Sequence, residues 1–509
     1  MSTTEPAAPP PAPEAPGAMT PDPRRFKALA VIAIAQLMIV LDASIVNLAI
    51  PRATADLGIA PANVQWIVTA YTLSFGGLLL LGGRIADYWG RKRTFLVGLL
   101  GFAAASLIGG LAPNQQMLFA SRALQGSFAA LLAPAALALI SVTFHEPKER
   151  AKAFGVIGAI SGGGAAIGLL LGGVLTEYLS WRWCLAVNTP IAIGAALAAR
   201  RFITESRASG NTSYDIPGAA TATLGLVSLV YGFTQAAPNG YQDSAHWTDP
   251  STLVWFGAAA VLLISFFVIE SRTANPLLPL RIIGERNRGG AYLSALITGA
   301  GLFAMFLFLG LFLQVILQYS PVRAGLAFLP FSIGIILTAG IAANLMPKVG
   351  PRPLMVPGLV AAAGGMLWLT RLTPESDYLT HVLPALVVMS VGMAFTFIPT
   401  ATVALHAVGN HDAGVASAVI NTSQQVGGSL GTALMNTVAV TATSAYLAAN
   451  AATLGEGALP AALTHGYTRG FALGAGLLLV AAVVVLVLIR IGPTAAAEDD
   501  ESATPAHLG

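Results

Sequence analysis

The sequence predicts an all-α polytopic membrane protein, and three observations predict it. Hydrophobic residues make up 55% of the chain and charged residues only 10%, against about a quarter charged in an ordinary soluble protein. Such a chain lacks the polar surface to face water all round. Fourteen apolar runs follow one another, and a bilayer core about 30 Å thick needs about twenty apolar residues per helix. Lys and Arg collect in alternate connections between those runs, as the positive-inside rule requires.

The elements follow in order. Residues 1–27 read as a disordered cytoplasmic tail, rich in proline and alanine over 1–23, a composition unable to bury a core. The first apolar run, 28–50, is too long for a signal-peptide core and has no clear cleavage site after it, so it is an uncleaved helix. The next five segments span 64–83, 94–112, 116–143, 153–175 and 183–200, completing a six-helix unit over 28–200. Two more, 215–236 and 251–270, lie within 201–289 and read as an inserted pair. A second six-helix unit over 290–491 contains 290–318, 322–346, 353–371, 381–406, 413–445 and 468–491. The longest connections are 201–214, 237–250, 271–289 and 446–467, and residues 492–509 are a second disordered tail. Glycine (54) and proline (31) are abundant, which packed membrane helices tolerate.

With the N-terminus placed in the cytoplasm, twenty of the 26 Lys and Arg residues fall on the inner side and five on the outer, Arg122 lying inside a helix. The asymmetry sets an even number of crossings with both termini inside. The net charge of +3 does not indicate nucleic-acid binding, because the basic residues sit in short connections. Cys184 is the one cysteine, so no intramolecular disulfide forms. A faint repeat is visible: GGRIADYWGRKR at 82–93 aligns with ANLMPKVGPRP at 343–353 on Gly90 and Gly350. Repeated halves around a midplane site are a transporter design.

Asp42 lies well inside the first segment. A carboxylate there is expensive and must face a partner or a wet cavity. Burial favours the neutral form of a carboxyl group, which suits a site that loads and unloads a proton; a purely structural carboxylate bonded to Ser44 is the other reading. Arg122 is the one intramembrane cation, expected to pair with a carboxylate such as Asp42 or to tie backbone carbonyls together. Gly83, Asp87, Gly90, Arg91 and Lys92 join the second and third segments and read as a conformational latch: glycine permits a tight turn and Asp87 can cap a helix or pair with an arginine. Gly164, Gly168, Gly172 and Gly173 line the fifth segment and allow close helix approach. Asn47, Tyr71, Gln125, Gln314, Gln318, Asn421 and Gln425 are candidate cavity-lining residues. The later segments hold no deeply placed Asp or Glu, which disfavours dicationic cargo.

Enzyme signatures are absent. There is no Walker loop, the seven histidines are scattered without ligand spacing, and no Ser-His-Asp arrangement is suggested. No catalytic residue, metal site or cofactor is expected.

These residues resemble those of a known family. LDASIVNLAIP (41–51), GGRIADYWGRKR (82–93), SRALQGSFAA (121–130), GAAIGLLLGG (164–173), WRWCLAVNTPIA (181–192) and AGVASAVINTSQQVGGSLGTA (413–433) are similar to motifs of the fourteen-helix drug:proton antiporters of the major facilitator superfamily, in particular actinobacterial multidrug and antibiotic exporters. The resemblance covers about 41 to 445. It implies a major facilitator fold, two six-helix halves plus two extra central helices, and a proton-coupled exporter of hydrophobic, neutral or monocationic drugs. A transporter of a specific metabolite on the same fold is the alternative. It implies that Asp42 couples to protons, that Arg122 supports proton transfer, that Asp87 and Arg91 help latch the outward-open state, and that Gly168, Gly172 and Gly173 shape the helix 5 interface. The expected partners are a drug-like molecule, protons and the lipid bilayer of a bacterial plasma membrane, with a monomer as the working unit. Two positions depart from the pattern: Leu169 stands where the antiporter motif has proline, and Gln424 where many relatives have arginine.

Overall fold

The computed structural model describes residues 23–144, 146–208, 214–241, 243–409 and 412–493. The expected disordered tails lie almost wholly outside the described residues. Fourteen principal helices follow in chain order: α1 (Arg25–Leu57), α2 (Trp66–Trp89), α3 (Arg91–Gly110), α4 (Gln115–Thr143), α5 (Pro147–Tyr178), α6 (Asn188–Phe202), α7 (Ile216–Ala236), α8 (Pro250–Arg272), α9 (Arg286–Leu311), α10 (Pro321–Val349), α11 (Arg352–Leu369), α12 (Leu383–Leu405), α13 (Ala413–Leu454) and α14 (Ala458–Leu488). Thirteen spans among the described residues are long and apolar enough to cross a membrane. The remaining helix, α13, carries the polar run 421–425 and packs along α9, α2 and α14.

Local chemistry sets many of the ends. The side chains of Asn114, Asp215, Glu285 and Ser320 accept N–H bonds at the starts of α4, α7, α9 and α10, satisfying donors that have no intrahelical partner. Gly58 closes α1 in a left-handed conformation, φ 61°. The expected connection 446–467 is instead mostly helical, because α13 runs to Leu454 and α14 starts at Ala458. The alanine-rich stretch between the two apolar runs continues both helices at little cost.

The two halves pack by one scheme. In the first, α1 lies against α5 and α6, α4 against α2 and α3, and α3 against α6. In the second, α9 lies against α13 and α14, α12 against α10 and α11, and α11 against α14. The halves meet along α2 with α13 and α5 with α10, which is the same pair of positions exchanged. The faint repeat has a backbone counterpart: α2 and α10 both end on a glycine with positive φ, Gly90 at 124° and Gly350 at 82°. The inserted α7 and α8 form a hairpin whose α7 rests on α2 and α13. Large apolar side chains such as Val254, Val261 and Ile264 of α8 point outward and are exposed, a surface suited to lipid rather than water.

Candidate functional site

The first half holds a buried ion pair. Asp42 on α1 and Arg122 on α4 are both fully buried, with Arg122 Nη1 2.6 Å from Asp42 Oδ2. Further hydrogen bonds surround the pair. Gln125 Nε2 and Asn188 Nδ2 donate to Asp42 Oδ1 at 3.0 and 2.7 Å. Gln125 also donates to Ser106 Oγ and accepts from Arg122. Arg122 Nε donates to the Ile67 carbonyl at 3.0 Å. A buried ion pair is tolerated when hydrogen bonds complete it in this way. The ring of Tyr71 covers the guanidinium at 4.5 Å, within cation–π range, and the Tyr71 hydroxyl is buried with no hydrogen-bond partner among the described residues.

Between the halves lies a cavity of about 1230 Å³. Its middle depth carries Asn47, Tyr71, Asn421, Gln424 and Gln425 with Phe303 and Phe306 nearby. Its mouth is at the end where α2 and α12 finish, and it is flanked by two ion pairs: Asp87 with Arg91 at 2.8 Å, and Asp412 with Arg281 at 2.6 Å. The opposite end is closed by bonds between the halves. Glu177 accepts the Val322 N–H at 2.9 Å, Asn436 donates to the Pro61 carbonyl at 3.2 Å, and midway Thr72 and Ser429 share a 2.7 Å hydroxyl bond. The chain is therefore held in a state open at the face that carries most of its Lys and Arg.

Tyr71 belongs both to the cavity wall and to the shell of the ion pair. Its ring touches the Arg122 guanidinium and lines the cavity, so the cavity and the ion pair share one aromatic side chain.

The loop between α2 and α3 is anchored within its own half. Arg91 holds Asp87 through Nε and Nη2. The segment after α6 adds backbone bonds, Arg91 N–H to Ser206 O and Ala208 N–H to Asp87 O, both 2.9 Å. Glu205 accepts the Lys92 and Arg93 N–H groups at 3.0 and 3.2 Å, so its carboxylate caps α3. Lys92 Nζ donates to the Arg200 carbonyl. Gly90 has no room for a side chain, with φ at 124° and the Glu205 carboxylate 2.8 Å from where a Cβ would lie. At Gly83 the nearest atom would be 3.6 Å away, an ordinary contact.

The α5 glycines do two jobs. A Cβ on Gly164, Gly168 or Gly172 would strike α1, at Val40, at Ser44 Oγ (1.9 Å) and at the Ile45 carbonyl (2.5 Å) respectively. Only Gly173 meets the other half, 2.7 Å from the Pro321 carbonyl. The motif is thus mostly an α1–α5 contact. Leu169 is fully buried, and its carbonyl would lie 2.9 Å from a Cβ on Gly325 of α10.

Three expected cavity residues lie elsewhere. Gln125 turns away from the cavity into the Asp42 cluster. Gln314 sits in the π-helical turn after α9, and Gln318, exposed at φ 53°, donates to the Val315 carbonyl. Both are at the closed end, because the helix carries them a full membrane depth from the mouth. Asn188, Ser106 and Glu205 went unassigned in the sequence. Asn188 stood within the matched stretch 181–192, whereas Ser106 and Glu205 carried no local signal.

The chain matches the Major Facilitator Superfamily model over residues 32–432. It is 49% identical over 495 residues to the puromycin resistance protein of Streptomyces alboniger, covering 96% of each chain. It is 40% identical to the cephamycin export protein of Amycolatopsis lactamdurans, covering 82% of this chain and 85% of that one. Among solved structures, a bacterial homologue of the human lysosomal transporter Spinster, inward-facing and unoccupied, superposes with a TM-score of 0.65 at 16% identity over 94% of this chain and 99% of that one. The D-xylose–proton symporter gives 0.64 at 13%, covering 92% and 99%. The buried Asp42–Arg122 pair, the repeated helix scheme and the central cavity thus sit in a chain that belongs to the Major Facilitator Superfamily.

Proposed function

We propose that this protein exports hydrophobic, neutral or monocationic drug-like compounds across a bacterial plasma membrane in exchange for protons, with both termini cytoplasmic and a monomer as the working unit. The observation that carries the reading is the contact of the fully buried Asp42–Arg122 pair with Tyr71 of the cavity wall. Relatives at 49% and 40% identity bear the names of a puromycin resistance protein and a cephamycin export protein, which favours antibiotics as the cargo class.

Cargo enters from the Lys/Arg-rich face and rests against amides and phenyl rings at mid-depth, where apolar walls with a few polar groups suit drug-like molecules. Protonation of Asp42 in the outward-open state removes one charge of the buried pair and weakens its hold on Arg122. Cargo against Tyr71 moves the ring, and the proton leaves Asp42 towards the cytoplasmic cavity as the pair reforms. Each ligand thereby favours one of the two states, which is what coupling requires. The ion pairs at the mouth are the groups that exchange partners when that face closes.

The test is efflux of a panel of labelled lipophilic compounds, puromycin among them, from cells expressing the wild type or Asp42→Asn, with and without a protonophore. Loss of uphill efflux in both conditions is expected. Efflux that survives both overturns proton coupling through Asp42. Absence of efflux for every compound moves the reading to a transporter of a specific metabolite.

A further inference from the structure

A second pair of acids lies outside the site described above, at the foot of the inserted hairpin. Asp215 precedes α7 and Glu270 ends α8; they are 5% and 3% exposed. Each carboxyl has one oxygen committed. Asp215 Oδ1 accepts the Gly218 N–H at 2.8 Å and caps α7, and Glu270 Oε2 accepts the Leu278 N–H at 3.0 Å. The other oxygen of each, Asp215 Oδ2 and Glu270 Oε1, is buried with no hydrogen-bond donor among the described residues. These two oxygens converge on one spot: a Cβ on Gly218 would meet Asp215 Oδ2 at 2.5 Å and Glu270 Oε1 at 2.9 Å. Two buried acceptors with no donor between them are disfavoured by desolvation and mutual repulsion. One proton placed between them satisfies both.

We propose that Asp215 and Glu270 bind one shared proton, forming a protonation site of this transporter separate from Asp42. The site touches the cavity. The strap 273–279 that follows α8 is tied to Glu270 through Leu278 and supplies cavity-lining residues, including Pro276 and Leu277. Near the pair are Arg84 of α2, its hydrogen-bond partner Tyr88, and Tyr214, the chain neighbour of Asp215. Arg84 acts on Glu270 by charge, donates to the Pro276 carbonyl at 3.3 Å and to Tyr88 Oη at 3.1 Å, and the Tyr88 and Tyr214 rings lie 6.0 Å apart. Loss of the proton sets two anions side by side and displaces the strap, so the proton holds this wall of the cavity mouth in place. The inference is independent of Asp42's role and goes beyond the export reading.

The test uses the purified full-length protein in detergent, read by infrared spectroscopy for the carbonyl band of a protonated carboxyl group. Wild type and Asp42→Asn are expected to show a band at neutral pH that vanishes on alkaline titration. Glu270→Gln and Asp215→Asn are each expected to lose it, because one proton serves both acids and the new amide N–H takes its place. Either variant alone carries the test if the other does not fold. A thermal midpoint that falls with alkaline pH in the wild type but stays level in Glu270→Gln would agree. Absence of the band in the wild type, its persistence in both variants, or parallel pH profiles would overturn the proposal.

Discussion

Asp42 and Arg122 stand 80 residues apart in the chain and meet at 2.6 Å with neither side chain reaching water. Removal of one partner leaves the other as a buried, uncompensated charge, costing about 3–5 kcal/mol. Arg122→Ala and Asp42→Asn are therefore both expected to lower the thermal midpoint of the purified protein, Asp42→Asn less, because its amide oxygen still accepts a hydrogen bond from Arg122. Uphill efflux by Asp42→Asn should fall by about two orders of magnitude, the size expected on removing a proton-transfer group. Energy-independent counterflow in proteoliposomes should persist, and its loss would make Asp42 structural.

Tyr71 divides into two separable functions. Its hydroxyl is buried without a partner among the described residues, so Tyr71→Phe removes an unsatisfied group and should leave stability unchanged or higher by up to about 1 kcal/mol. Tyr71→Ala opens a path from the cavity to Asp42. It should collapse a proton gradient in reconstituted vesicles without cargo, measured with a pH-sensitive dye.

Along α5, steric conflict with backbone is harder to relieve than conflict with a side-chain tip. Gly172→Ala meets the Ile45 carbonyl and Gly168→Ala meets the Ser44 hydroxyl. Gly172→Ala should be the more destabilising of the two, by about 1–3 kcal/mol relative to wild type. Gly173→Ala should loosen the closed end of the cavity, seen as faster labelling of Asn436→Cys by a membrane-impermeant maleimide.

Gly90 and Gly83 lie in one motif and make opposite demands. Gly90→Ala forces a side chain into positive φ and onto the Glu205 carboxylate, costing about 1–3 kcal/mol. Gly83→Ala meets nothing closer than 3.6 Å and should melt like wild type. Comparison of the two thermal midpoints checks the distinction.

In the connection between α7 and α8, His246 lies between Asp243 at 3.0 Å and Asp249 at 3.1 Å. The hydrogen bond that His246 donates to the Asp243 carboxylate raises its proton affinity above the ordinary imidazole value, and the two negative charges add to it. A raised value in the folded chain means stability fully present at acidic pH and lost as pH rises through the shifted value. The midpoint advantage of wild type over His246→Asn should shrink between about pH 6 and pH 8. High salt should shrink it further, because these groups are partly open to solvent and screening acts there.

Much of the site was legible because charge inside an apolar run is costly. Asp42 and Arg122 stand out in the sequence for that reason alone, and Gly90 and Gly172 stand out by motif. Polar amides were less informative: the same logic that placed Asn421 and Gln425 beside the cavity also suggested Gln314 and Gln318. Helix rise and rotation carry those two to the closed end, and no local pattern encodes that depth. Glu205 offers no signal either, since capping α3 from 112 residues away depends on where the segment after α6 returns.

The sequence by itself determined that the chain lives in a bilayer, that it crosses it many times and which residues are too polar to be there without a purpose. Those properties follow from the free energy of transferring each residue into lipid, which is local and sums along the chain. Only the tertiary structure decided that Asp42 meets Arg122, Asn188 and Gln125, that Tyr71 touches both Arg122 and the cavity, and that Asp215 and Glu270 converge on one spot. Such contacts join residues tens to hundreds of positions apart, and they are chosen by how whole helices pack against one another.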